Sequence, residues 1–166
     1  MIISGQAITY GDDISTDLLY PGRYTYLLLS DEQMIEHALE DLDPGFAVRD
    51  VTGSILVAGK NFGCGSAREQ AVQCIKKKGI AAIVAKSISR IYYRNCINEG
   101  LLPIICPEAA DMIKNGNQLI INVEEGALIL GGKSYAFSKF PPNVMEIINC
   151  GGLIESVRRE IAKNNK

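Results

Sequence analysis

Histidine is nearly absent from this sequence: His37 stands alone among 166 residues. A metal centre or a Ser-His-Asp triad would have to be built on it by itself. It lies in Asp31–Glu40, which reads as an amphipathic helix, so a helix surface is its expected place. The five cysteines (Cys64, Cys74, Cys96, Cys106, Cys150) are odd in number and scattered, and none forms a C-x-x-C pair. That excludes the usual zinc and iron–sulfur spacings and argues against a disulfide framework. Whatever the chemistry, this chain is expected to bring no metal of its own. An excess of one charge is also lacking. Seventeen Lys and Arg face nineteen Asp and Glu, for a net charge of −2, where a general nucleic-acid binder carries a basic surplus. Long apolar runs are missing too. Ile80–Ala85 and Leu101–Cys106 are strand-length, far short of the ~18–20 residues of a membrane helix. Met1-Ile2-Ile3-Ser4-Gly5 has no basic stretch leading into an apolar one, so no signal peptide is expected and the address reads as cytoplasmic.

What is there is ordinary globular material, 47% hydrophobic and 22% charged, in a length that suits one domain over residues 1–166. Gln6–Tyr10 reads as a first strand. Asp12–Arg23 reads as loop, rich in Asp, Ser, Thr and the Pro21-Gly22 turn. Tyr24–Leu29 is apolar and aromatic, ahead of a helix over Asp31–Leu39 and a polar connection over Asp41–Asp50. Ser54–Ala58 is a strand. From Ser66 the period becomes helical: Ala67, Ala71, Val72 and Ile75 share a face, Lys76-Lys77-Lys78 form a solvated last turn, and Gly79 stops it. Ile80–Ala85 and Leu101–Cys106 suit strands buried on both faces, joined by a helix capped at Ser87 or Ser89 and stopped by Gly100. This alternation predicts a parallel α/β centre. Gln118–Val123, Ala127–Leu130 and Lys133–Phe137, separated by Glu124-Glu125-Gly126 and Gly131-Gly132, predict antiparallel hairpins. Pro141-Pro142 opens a helical end interrupted by Gly151-Gly152.

The segment Gly59-Lys60-Asn61-Phe62-Gly63-Cys64-Gly65-Ser66-Ala67-Arg68-Glu69 stands between a strand and a helix. Glycines there let the backbone turn sharply and approach a ligand, toward which the first free N–H groups of the helix point. Ser66 is expected at the helix start, with Arg68 just inside. A P-loop is excluded, because Lys60 precedes the turn instead of following it. A dinucleotide fingerprint is excluded as well, because Arg68 stands where its last glycine belongs. What remains is carboxylate binding: a guanidinium fork, with a helix dipole adding ~0.3–1 kcal/mol. The competing reading makes Ser66 an N-cap and pairs Arg68 with a surface acid. Spacing leaves both open.

Three motifs in order carry a resemblance: Gly11-Asp12-Asp13-Ile14-Ser15-Thr16-Asp17, then Gly63-Cys64-Gly65-Ser66-Ala67-Arg68-Glu69, then Ser89-Arg90-Ile91-Tyr92-Tyr93-Arg94-Asn95. Together they resemble the 3-isopropylmalate dehydratase small subunits, the detached swivelling domain of the aconitase superfamily. The likeness runs to the Gly151-Gly152-Leu153 turn. It implies the swivelling-domain β/β/α fold, a parallel-sheet centre with antiparallel hairpins. It also implies a partner, a large subunit carrying a [4Fe-4S] cluster, while this chain binds no cofactor. By position, Ser66 would be the alkoxide base that takes a proton from the substrate carbon, and Arg68 would bind a carboxylate of a small dicarboxylate. Gly65 and Ala67 would bind through their backbone. A serine is a poor base unless cations and N–H donors stabilise its anion.

One departure is Ala67, where the family has a second serine whose hydroxyl helps hold the carboxylate. A second concerns a Tyr-Leu-x-x stretch that in relatives reads the substrate's variable group, with arginine at its third position selecting an extra carboxylate. Here that position is Tyr26 or Leu28, according to register. Leucines disfavour a buried extra carboxylate by several kcal/mol, so the implied substrate is a branched, apolar-substituted malate and the implied pathway leucine biosynthesis. Arg23 is the one nearby cation that could read a carboxylate. Plain core packing is the other expectation for Tyr24–Leu29. Thr16 and Asp17 could orient the first loop or merely cap it. Arg90 and Arg94 could join the substrate's field or form salt bridges. The runner-up activity is dehydration of dimethylmalate or citramalate. A reading of another class is an anion-binding or regulatory module without catalysis.

Overall fold

The buried apolar runs become the middle of one sheet in the computed structural model, which describes residues 1–164; the last two residues of the expected 1–166 domain lie outside the described residues. Strands β1 (Ile2–Thr9), β2 (Ile55–Ala58), β3 (Ala82–Ala85), β4 (Leu102–Ile105), β5 (Gln118–Asn122), β6 (Ala127–Leu130) and β7 (Lys133–Ala136) lie in the order β4-β3-β2-β1-β5-β6-β7. The first four are parallel, and β5, β6 and β7 continue as antiparallel hairpins. β1 is the seam. Its residues 7–9 run parallel to β2, while residues 2–6 run antiparallel to β5.

Strand periodicity divides the core into two layers. Leu56, Ala58, Ile83 and Ala85 face one cluster with Leu19, Phe62, Ile75 and Tyr92. Ile55, Val57, Ala82 and Val84 face another with Leu119, Ile121, Leu128 and Tyr135. Helices α3 (Gln70–Lys77) and α4 (Arg90–Glu99) belong to the first layer, and α6 (Pro142–Cys150) contributes Ile148 to the second. A twelve-residue helix, Leu153–Asn164, follows Gly151-Gly152.

The parallel centre and the hairpins stand as the sequence predicts. Several boundaries do not. β1 begins at Ile2, not Gln6, because β5 supplies a partner that a local reading cannot see. Asp12–Arg23 is not all loop: α1 (Thr16–Leu19) is capped by the Ser15 side chain, and a 3₁₀ turn covers Gly22–Tyr24. The helix expected over Asp31–Leu39 ends at Glu36, with Ser30 and Gln33 forming a capping box at its start and His37 at its C-cap. Pro107–Met112 is a further short helix that the apolar periodicity did not reveal. The Lys76-Lys77-Lys78 turn is not merely solvated. Lys76 donates to the Glu99 and Gly151 carbonyls, Lys77 pairs with Asp31, and Lys78 donates to the Ala47 carbonyl at 2.6 Å.

In a parallel sheet, ligands gather outside the carboxyl ends of the strands. The three sequence motifs follow β1, β2 and β3, which are neighbours. Topology therefore brings them to one edge.

Candidate active site

Backbone bonds stitch the three motifs together before any side chain is considered. Asp13 N donates to the Lys60 carbonyl at 2.8 Å, Gly63 N to the Ile14 carbonyl at 2.8 Å, and Thr16 N to the Cys64 carbonyl at 2.8 Å. On the other side, Phe62 N donates to the Ser87 carbonyl at 3.0 Å and Ser89 N to the Phe62 carbonyl at 2.8 Å. Side chains reinforce the seam: Asp12 Oδ1 accepts from Lys60 N, Asn61 Nδ2 donates to Asp13 Oδ1, and Ser89 Oγ donates to the Gly63 carbonyl. Gly63 is obligatory. Its φ is +71°, and a Cβ there would lie 2.2 Å from Cγ of the buried Tyr92.

Ser66 is not at the helix start. α3 begins at Gln70, with Glu69 at its N-cap and no capping side chain. Arg68 N donates to the Ser66 carbonyl at 2.9 Å, closing a three-residue turn around Ala67 that an α-helix cannot contain. Ser66 and Ala67 are exposed on this bend, with Gly65 before them at φ +98°. The expected direct help from the α3 dipole is displaced by four residues.

Arg68 turns inward and is 11% exposed. Its Nη2 meets Asp17 Oδ1 at 2.7 Å and donates to Thr16 Oγ1 at 3.4 Å, and its Nη1 donates to Thr25 Oγ1 at 3.3 Å. Its Nε is buried without a partner. Gly22 makes room for it, since a Cβ there would stand 2.9 Å from Nη1. Gly22 and Thr25 were missed as site residues; Pro21-Gly22 signals a turn, and nothing local says that a guanidinium lies against it. Thr16 and Asp17 orient Arg68 as well as forming the first loop.

Arg23 is engaged elsewhere. It forms ion pairs with Glu40 and Asp41, and its guanidinium lies 5.0 Å from the Tyr24 ring centre. Tyr24 stacks on His37 at 3.7 Å, and His37 Nδ1 lies 2.6 Å from Glu40 Oε2. The cluster fixes the base of the following loop and leaves its tip free: Tyr26 is 95%, Leu27 55% and Leu28 104% exposed. Core packing of Tyr24–Leu29 thus holds for Tyr24 and fails for Tyr26–Leu28.

A cleft of about 470 Å³ opens beside the loop, lined by Gly65, Ser89, Arg90, Ile91 and Arg94. Among the described residues neither Arg90 nor Arg94 forms an ion pair. A second cleft of about 380 Å³ runs along β1 past Tyr10, Asp43 and Arg49, away from Ser66; there Asp43 already holds both the Tyr10 hydroxyl and Arg49.

No group of three or more His, Cys, Asp or Glu is placed to hold a metal ion among the described residues. Burial pushes the Cys74 thiol up to about 12 and raises Cys96 and Cys106 as well, which suits packing and opposes the thiolate that iron or zinc requires. No helix among the described residues is long and apolar enough to cross a membrane.

The family model for the aconitase C-terminal domain matches residues 29–109. A 3-isopropylmalate dehydratase small subunit from Moorella thermoacetica is 46% identical over 97% of this chain and 98% of its own length. Small subunit 1 of the same enzyme from Methanopyrus kandleri is 41% identical over 96% of this chain and 94% of its own. The chain belongs to the 3-isopropylmalate dehydratase small-subunit family. A crystal structure of 3-isopropylmalate dehydratase from Methanocaldococcus jannaschii aligns with a TM-score of 0.91 at 37% identity, covering 99% of this chain and 98% of that one. The stretch matched by the aconitase C-terminal domain holds Ser66, Arg68, Arg90 and Arg94, and leaves out the first motif with Thr16 and Asp17 as well as Tyr26 and Leu28.

Proposed function

We propose that this chain is the small subunit of a cytoplasmic hydro-lyase of the 3-isopropylmalate type, working in leucine biosynthesis with a large subunit that carries a [4Fe-4S] cluster. The observation that supports it most is the exposed Ser66 on a loop bonded to its neighbours through Gly63 and Cys64, two residues from a guanidinium held by Asp17 and Thr16. This chain's own residues do not fit such a cluster, since its cysteines are dispersed and three are buried. The cluster is therefore assigned to the partner.

In the proposed reaction, Ser66 as an alkoxide takes the proton from the carbon that bears a carboxylate. The electron pair of that C–H bond becomes the second bond of an alkene. The hydroxyl leaves the neighbouring carbon with its own electron pair, and this departure is the large subunit's task. In the reverse direction Ser66 returns the proton, so hydroxyl and hydrogen can exchange places. Arg68 binds one carboxylate, which requires the substrate to compete with Asp17 for the guanidinium. The free N–H groups of the Gly65–Ala67 bend support the alkoxide. Tyr26 and Leu28, exposed at the loop tip, are assigned to cover an apolar substituent, and Arg23, held by Glu40 and Asp41, is not free to demand a further carboxylate.

The test is turnover by the reconstituted complex on a panel of hydroxy di- and tricarboxylic acids. Best activity on 3-isopropylmalate supports the proposal; best activity on citrate or homocitrate overturns it. Ala67, exposed and lacking the family's second hydroxyl, favours dimethylmalate or citramalate as the second reading, and preference for either would select it. Ser66→Ala with undiminished function would instead favour a non-catalytic anion-binding module.

A further inference from the structure

A guanidinium donates from every one of its nitrogens, and the contacts of Arg68 use them unevenly. Nη2 is taken up: Asp17 Oδ1 lies 2.7 Å from it, and Thr16 Oγ1 accepts from it at 3.4 Å. Nε is buried without a partner. Nη1 donates to Thr25 Oγ1 at 3.3 Å and to no other group among the described residues, so one of its hydrogens is free. Gly22 lies against this nitrogen with no side chain to cover it, since a Cβ there would stand 2.9 Å from Nη1 and 3.0 Å from Asp17 Oδ1. The competition between a substrate carboxylate and Asp17 is therefore least severe at Nη1. One free N–H satisfies one carboxylate oxygen. The other oxygen needs a second donor, or Asp17 has to leave Nη2 and expose a mostly buried cation to a lost ion pair.

Few hydroxyls are placed to be that donor. Ser66 is committed to proton transfer, and Ala67 has none. Thr16 is 2% exposed and sits on the occupied nitrogen. Thr25 differs on both counts: it is partly buried, it sits on Nη1, and its own O–H has no acceptor among the described residues. A hydroxyl that accepts from a cation is polarised into a stronger donor. Its backbone is held in place, because Tyr24 N donates to the Pro21 carbonyl and Thr25 N to the Gly22 carbonyl, each at 3.1 Å. The exposed tip of the loop begins only at Tyr26. We propose that Thr25 binds the same substrate carboxylate as Arg68, its O–H donating to one oxygen while Nη1 donates to the other. Asp17 then keeps its place on Nη2, and the site gains from the Pro21–Asp31 loop the side-chain donor that Ala67 lacks. This rests on the reading of the chain as a dehydratase subunit whose Arg68 receives a carboxylate.

The test reads binding and turnover separately on the complex reconstituted with the large subunit. Steady-state kinetics on 3-isopropylmalate give KM and kcat for wild type, Thr25→Val and Thr25→Ser. Calorimetry in a Ser66→Ala background gives Kd for the same diacid. Thr25→Val keeps the shape and removes the hydroxyl; it is expected to raise KM and Kd by about tenfold, the loss of one hydrogen bond to a charged group. Its kcat stays within about threefold of wild type, because the contact is made equally before and during the reaction. Thr25→Ser, which keeps the O–H, is expected to recover most of the loss. Unchanged KM and Kd in Thr25→Val overturn the proposal, and so does a loss that serine does not recover. An Arg68→Lys background decides whether Thr25 touches the substrate. A valine penalty that persists there supports direct contact; one that vanishes makes Thr25 a prop for the guanidinium and overturns the proposal. The two readings fail separately. A wild-type complex that binds the diacid in a Thr25-dependent way but turns over none refutes the dehydratase reading and leaves the Thr25 contact standing. Turnover that ignores Thr25 does the reverse.

Discussion

Ser66 offers its hydroxyl from an exposed bend, so its removal disturbs no packing. Ser66→Ala is expected to keep the thermal midpoint of wild type while kcat falls by ~10²- to 10⁴-fold, the usual contribution of a positioned base. Arg68 is a different case, because the same group is both anchor and strut. Asp17→Asn leaves that mostly buried guanidinium with a neutral partner. It is expected to lower stability by ~1–3 kcal/mol in denaturant melts, the cost of weakening a hydrogen bond to a buried charged group. The cysteines give a chemical check. Cys64 and Cys150 are partly exposed, whereas Cys74, Cys96 and Cys106 are buried with raised thiols. Maleimide at pH 8 is expected to modify the first two in the native chain and all five only after unfolding, read by mass spectrometry; native labelling of Cys74 would contradict the packing described. At this scale the sequence told much: Asp17, Ser66 and Arg68 stand in motifs that can be seen by eye. It did not tell that Asp17 faces Arg68, since 51 positions separate them and the stitches of the first loop to Lys60, Gly63 and Cys64 bring them together.

Elements explain the errors of the linear reading. The helical face of Ala67, Ala71, Val72 and Ile75 suggests a helix from Ser66, yet the helix waits until Gln70 because the chain first closes the Ser66–Arg68 turn. Periodicity sees which faces are apolar; it does not see a tight turn built from ordinary residues. The apolar stretch Tyr24–Leu29 misleads in the opposite way, since half of it is held by the Arg23, His37 and Glu40 cluster and the rest projects outward. The strands were easier, because two-sided burial leaves continuous apolar runs. Gly63 offers the sharpest test of how loop and helix fit. Gly63→Ala brings a Cβ into the Tyr92 ring at a positive φ, and it is expected to abolish soluble expression or cost at least ~2 kcal/mol in melts. The same substitution at Gly11, where a Cβ meets nothing within 4 Å, is expected to be tolerated.

Across the whole molecule, one source of acid sensitivity is a tie between the sheet and the 37–50 segment. Partial burial raises the Asp43 carboxyl, but the Tyr10 hydroxyl at 2.8 Å and the Arg49 guanidinium outweigh it, and the net value lies below the ordinary 3.8. The unfolded chain therefore binds a proton at Asp43 at higher pH than the folded one. This contribution to stability is complete above about pH 4–5 and is lost as pH falls through the lowered value. Asp43→Asn is expected to melt earlier than wild type at pH 7, and the gap is expected to narrow as pH falls below 3.8; a gap independent of pH would remove the carboxylate from the account.

The seam strand β1 carries a consequence for synthesis. Its parallel neighbour, β2, leaves the ribosome within about fifty residues, but its antiparallel neighbour, β5, is Gln118–Asn122. Until then the first strand made presents an open edge, a template for another nascent chain. Truncation before Gln118 should consequently yield aggregates rather than a smaller folded half, and translation pauses upstream of that point would be costly to the cell.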